Sequence, residues 1–163
     1  MAVMNGSMIG VDFANASSTQ QFTLGTTVLG TQDTLWVYVE CNSVMVTGDV
    51  CAITTGGTAN RVITSGGQSS DNQVLCFPQT SATSGQFAWA AQKGAPIYVQ
   101  VSATCNPSAA LYVATTSGKL STTSASSTIG GCVLLAVSGT ATTAAVLANV
   151  TWPKWLITTN GVG

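Results

Sequence analysis

Charge is almost missing from this chain of 163 residues: four Lys/Arg and five Asp/Glu make up 6% of it, against about 25% in an ordinary soluble domain. Four basic residues cannot line a phosphate backbone, which excludes nucleic-acid binding by the usual electrostatic route. Histidine is absent. That removes the usual general base near neutral pH and the commonest ligand for zinc, copper and iron. Apolar runs stay well short of the ~18 residues that span a bilayer. The first twenty residues lack the basic start and continuous apolar stretch of a secretory signal, so a soluble chain made in a cytoplasm is expected. Disorder is disfavoured as well, because 45% of residues are hydrophobic and the net charge is only -1.

Paired cysteines are also missing. Cys41, Cys51, Cys76, Cys105 and Cys132 are odd in number, irregularly spaced and never at C-x-x-C. Neither a metal site, a redox motif nor a disulfide framework using all five is expected. Small buried hydrophobes in strands are the reading that fits. Ser, Thr and Gly fill the place of the missing charge. Such a surface has little self-repulsion to keep it from associating, and it reads as a surface partly made to be covered.

Helical periodicity is nearly absent and strand signals are frequent. Leu35 to Cys41 alternates aliphatics with Trp36, Tyr38 and Glu40. Pro96 opens a second run in which Ile97, Val99 and Val101 share one face. Further strands are expected at 21–24, 50–54, 61–64, 73–77, 86–91, 110–114, 120–123, 131–137 and 143–151, the last with a short helix as its alternative. Gly56-Gly57 and Gly66-Gly67 mark loops at 54–60 and 64–72, and the Ser117-Gly118 step marks a hairpin turn. The expectation is an all-β fold, a β-sandwich or small β-barrel of short antiparallel strands. Residues 21–163 form one domain with no repeat at a period of about 20–50 residues. Residues 1–20 have no clear pattern and are expected to form an extended arm that orders against a partner.

Chemistry has few places to reside. Asp12, Asp33, Glu40, Asp49 and Asp71 are scattered, none at the i, i+2 spacing that sets two carboxylates on one strand face. They read as solvated loop acids. Ser117 and Lys119 stand two apart with nothing like a nucleophile elbow around them, and turn polarity accounts for them. The glycine pairs make no phosphate loop. No enzyme, metal or cofactor is expected. Thr doublets such as Thr54-Thr55 and Thr122-Thr123 point to opposite strand faces, which excludes a regular ice-binding array.

Trp36 and Trp89 lie in strands and are expected in the core. Trp152-Pro153-Lys154-Trp155 is denser. Capping the core is its first reading, a subunit contact at Trp152 and Trp155 its second, and sugar stacking its third.

Several segments resemble tailed-phage capsid decoration, or cement, proteins. They are Gly85-Gln86-Phe87-Ala88-Trp89, Lys93 to Val99, Ala110-Leu111-Tyr112-Val113, Thr115 to Leu120, Ile129 to Leu134 and the Trp152-Pro153 ending. Leu24 to Gly30, followed by Trp36 to Val39, is similar to the N-terminal part of such proteins. The resemblance implies a β-rich domain in a symmetric homo-oligomer, a trimer favoured, on the outside of an icosahedral head. It would clamp neighbouring subunits of the major capsid protein after the shell expands, with no catalytic residues. A carbohydrate- or host-binding module of a head fibre or tail, with Trp152 and Trp155 as platform, is the alternative.

Overall fold

A computed structural model describes residues 11–62, 73–102, 105–123, 127–136 and 144–157. Ten strands run in chain order. They are β1 (Thr27–Leu29), β2 (Leu35–Cys41), β3 (Cys51–Ile53), β4 (Thr58–Arg61), β5 (Leu75–Pro78), β6 (Phe87–Val101), β7 (Leu111–Val113), β8 (Leu120–Ser121), β9 (Ser127–Leu134) and β10 (Ala144–Ile157). The all-β expectation holds. From Ala144 on, the run expected at 143–151 belongs to a strand and not to a helix, and residue 143 lies outside the described residues.

The strands join into one mixed sheet that closes twice. In the first ring β2 pairs with β4 in parallel, β4 with β3, β3 with β5, β5 with β6, and β6 returns to β2, all antiparallel after the first. In the second ring β6 pairs with β8 in parallel, β8 with β7, β7 with β9, β9 with β10, and β10 returns to β6. The two rings have the same order and the same directions, four strands apart. The chain is thus a structural tandem repeat of two five-stranded barrels that share β6.

Residue correspondences follow from the registers. Cys41 faces Ala59 across the parallel pair of the first barrel, and Val101 faces Leu120 in the second. The following residues keep step: Asn42 N–H donates to the Ala59 carbonyl, and Ser102 N–H to the Leu120 carbonyl. Val37-Tyr38-Val39-Glu40-Cys41 therefore matches Ile97-Tyr98-Val99-Gln100-Val101, at a spacing of 60 positions.

The interiors follow the same map but differ in bulk. Val37, Val39, Cys41, Cys51, Ala59, Cys76, Ala88 and Ala90 fill the first barrel, with Met45 and Ala82. Their counterparts in the second are Ile97, Val99, Val101, Leu111, Leu120, Ile129, Val146 and Ala148, all buried. Four of the five cysteines lie in strands and all five are buried. Three of them are the small side chains that let the first barrel close tightly.

Two of the expected strands fuse into one. The runs at 86–91 and from Ile97 onward are the two halves of β6, which crosses Pro96 without ending. Pro96 brings no N–H to a ladder, and it sits at the handover between rings. β2 pairs with β6 as far as Lys93, and β10 takes over from Gly94.

The expected strand at 21–24 is instead a turn, closed by Thr26 N–H to the Thr23 carbonyl, and β1 begins three residues later. Phe22 and Leu24 are drawn onto the first barrel's outer face rather than into a ladder. β4 begins inside the expected loop at 54–60 and ends at Arg61, the first residue of the strand expected at 61–64, because a polar Thr-Ala-Asn-Arg strand has only Ala59 to mark its inward face. Residues 63–72 lie outside the described residues.

The expected arm divides. Residues 1–10 lie outside the described residues, whereas Phe13 is buried against Trp36 and Trp89, at ring distances of 4.7 and 5.7 Å. Ser17 bridges to Phe87, and Phe22 packs edge-on against Tyr38 and Trp89. Trp36 and Trp89 are core residues as expected, and each such aromatic pair adds about 0.5–1.5 kcal/mol beyond area burial.

Candidate functional site

The four acids among the described residues do not meet. Asp12 is exposed in its own turn, where Asn15 and the Ala14 N–H hold its carboxyl below the usual range. Asp33 pairs with Lys93 at the surface, Glu40 is half-buried in β2, and Asp71 lies outside the described residues.

Asp49 overturns the expectation of solvated acids: it is 0% exposed. Its carboxylate meets Arg61 Nε at 3.0 Å and accepts from the Val46 N–H at 2.9 Å. Buried Lys119 contributes a second positive charge. Burial still wins and pushes the Asp49 carboxyl upward, against the pull of Val46, Arg61 and Lys119. The reason for the burial is topological. Asp49 lies two residues before β3 and Arg61 ends β4 in the first barrel, and the β7–β8 hairpin of the second barrel packs against both. Arg61 donates to the Ser117 carbonyl at 2.9 Å. Gly118 accepts from Val50 and donates to Val62. The hairpin at 115–119 is as expected, but Lys119 is buried at this interlock and is not a solvated turn residue.

The thiols offer no reactive site. Cys51 and Cys76 face each other across β3–β5, and Cys51 Sγ lies 3.6 Å from Met45 Sδ. Burial raises Cys41 to about 11 and Cys132 to about 12, and drives Cys51 and Cys76 up as well. Among the described residues no group of three or more His, Cys, Asp or Glu is placed to hold a metal ion. No helix among them is long and apolar enough to cross a membrane.

Exposed apolar side chains are spread over the described surface, Leu29 and Val44 among them, and one set forms a row on the outer face of the second barrel. Leu135 N–H donates to the Leu147 carbonyl, and Leu147 stands opposite Tyr98, so these three form a row across β9, β10 and β6. Val133 lies beside it, opposite Asn149. Leu135 is 53% exposed and Val133 48%. On the first barrel the matching face carries Tyr38 and Trp89, and residues 13–24 cover it.

Trp152 does not cap the core. It is 55% exposed, because the β9–β10 register shifts between Val150 and Lys154. Trp152 takes φ 52° in this bulge, and Pro153 is buried in its place. A Cβ on Gly131 opposite would collide with the Thr151 carbonyl oxygen, so the bulge depends on that glycine. The side chain of Trp155 lies outside the described residues, so a joint Trp152–Trp155 surface is not described. Sequence periodicity gave no sign of the row, since Val133 and Leu135 alternate like any half-buried strand.

No family model matches this chain, and neither a curated protein nor a solved structure matches it.

Proposed function

We propose that this chain is a viral structural protein that seats on the outside of a tailed-phage head. There it stabilises the expanded shell by bridging major capsid subunits, as a symmetric oligomer with a trimer favoured. It is not an enzyme. The observation that carries the reading is the uncharged apolar row of Leu135, Leu147 and Tyr98 with Val133 beside it, on a chain whose acids form no cluster among the described residues. A clamp needs complementary surface and no titratable group. A ligand that binds the assembled shell but not its free parts stabilises it by mass action, so a few kcal/mol per copy suffices when copies repeat over a lattice.

Adding purified chain to expanded shells that lack it, then sedimenting them, tests this. Co-sedimentation should survive a rise from about 0.15 to about 1 M salt, over which the Debye length falls from ~8 to ~3 Å, because few ion pairs exist to be screened. Leu135→Lys should reduce it. Release by moderate salt would contradict the proposal.

A second reading, a host- or carbohydrate-binding module, is favoured by the exposure of the Trp152 indole. Sugar-dependent quenching of tryptophan fluorescence, lost in Trp152→Ala, is its test.

A further inference from the structure

The two barrels treat one equivalent gap differently. Where β2 leaves the first ring beside β4, Asn42 Nδ2 donates to Asn60 Oδ1 at 2.6 Å and bridges the two strands. The corresponding residues of the second barrel are Ser102 and Ser121, which are shorter. There the gap is an open cleft of about 230 Å³, lined by Ser102, Val113, Ala114, Thr115, Thr116, Ser121 and Thr123.

The lining defines the ligand. Among the described residues no charged side chain lines the cleft, so none there would pair with an ion. Five hydroxyls surround it, and a hydroxyl both donates and accepts. Ser102 Oγ uses its proton on the Leu120 carbonyl, which leaves it as an acceptor. Ser121 Oγ accepts from Thr123 N–H, which leaves its proton to donate. Val113 and Ala114 supply an apolar wall. The volume is below the ~300–1,000 Å³ of drug-sized pockets, and fits one small ring. The first barrel shows which group complements this strand frame, since carboxamides fill it there.

We infer that the cleft between Ser102 and Ser121 binds an N-acetylated sugar. The acetamido group takes the place held by the Asn42–Asn60 bridge in the first barrel, its methyl lies on Val113 and Ala114, and the ring hydroxyls meet Thr115, Thr116 and Thr123. The site lies on other residues than Trp152 and does not require the shell role.

The test uses the isolated, isotope-labelled full chain titrated with N-acetylglucosamine and, separately, glucose, followed by amide NMR. Saturable shifts should concentrate at 113–116 and 121–123. Glucose should bind about tenfold more weakly, the loss of roughly one hydrogen bond. Ser102→Asn with Ser121→Asn should rebuild the bridge and abolish binding while leaving the melting temperature in place. The wild-type titrations decide the matter if that variant does not fold. Absence of saturable shifts at these amides, equal binding of glucose, or tighter binding of an asparagine-containing peptide than of the sugar would overturn the inference.

Discussion

The Gln79 side chain stands in for a missing strand beside Tyr98. Its Nε2 donates to the Tyr98 carbonyl at 3.0 Å, and its Oε1 accepts from the Tyr98 N–H at 2.9 Å. The equivalent Tyr38 in the first barrel receives the same two bonds from backbone, from Gly25 N–H and the Thr26 carbonyl. One side chain in the second repeat thus does what the segment before β1 does in the first.

Gln79→Ala should therefore cost about 1 kcal/mol, the loss of hydrogen bonds to half-buried backbone groups. Gln79→Glu should also destabilise, since a carboxylate can accept from Tyr98 but cannot donate to its carbonyl. Denaturant titration of both variants checks this. A change below about 0.5 kcal/mol, the range of ordinary surface substitutions, would show that solvent replaces the amide.

The repeat was only partly legible in the sequence. Leu35 to Cys41 and the run from Ile97 are correctly read as strands, and Val-Tyr-Val-Glu-Cys against Ile-Tyr-Val-Gln-Val is the trace of the structural repeat in the sequence. The trace is faint because most matched interior positions differ: Cys51 against Leu111, Ala59 against Leu120, Cys76 against Ile129. A barrel interior constrains polarity, not identity, so the two halves keep the same registers with side chains of different bulk. The spacing of 60 positions also exceeds the short periods of solenoid repeats. Asp49 and Arg61 could not be paired from sequence, because what buries them is a hairpin more than fifty residues away. Trp152 was misread because a single bulge, dependent on Gly131, reverses the alternation that would place it inside.

The difference in bulk between the barrels predicts opposite responses to exchange. Cys51→Leu, which copies Leu111, should overpack the first barrel and cost about 1–3 kcal/mol. Leu111→Cys should leave a cavity in the second and cost about 2–5 kcal/mol. Thermal unfolding of each variant is the measurement. In the native chain at pH 8 Cys41, Cys51, Cys76 and Cys132 should resist a thiol reagent and react after denaturation, since burial hinders both access and ionisation.

Asp49 sets a pH dependence of definite sign. Its folded carboxyl is raised above its ordinary value by burial, so the native state holds this proton at a pH where the unfolded chain has lost it. The resulting stability is fully present below the unfolded value near 3.8 and is lost as pH rises through the folded one. Relative to Asp49→Asn, the wild type should thus gain stability as pH falls from 7 through the folded value of Asp49. Paired denaturant titrations across that range check it, and a wild type that loses ground instead would show that the Arg61 pairing outweighs burial.

The interlock predicts a steep cost at Gly118. Its φ is 75°, and a Cβ there would lie 2.7 Å from both Arg61 Nε and Asp49 Oδ1. Gly118→Ala should cost more than about 2 kcal/mol, because strain in the left-handed region adds to the disturbance of a buried charge pair. Differential scanning calorimetry should show a lowered transition.

The central claim, a lattice-wide structural role, is tested most directly by counting copies. Quantitative mass spectrometry of purified particles should find this chain in numbers comparable with those of the major capsid protein. A number far below that would place it at a vertex, fibre or tail, and its absence from particles would contradict the structural role altogether.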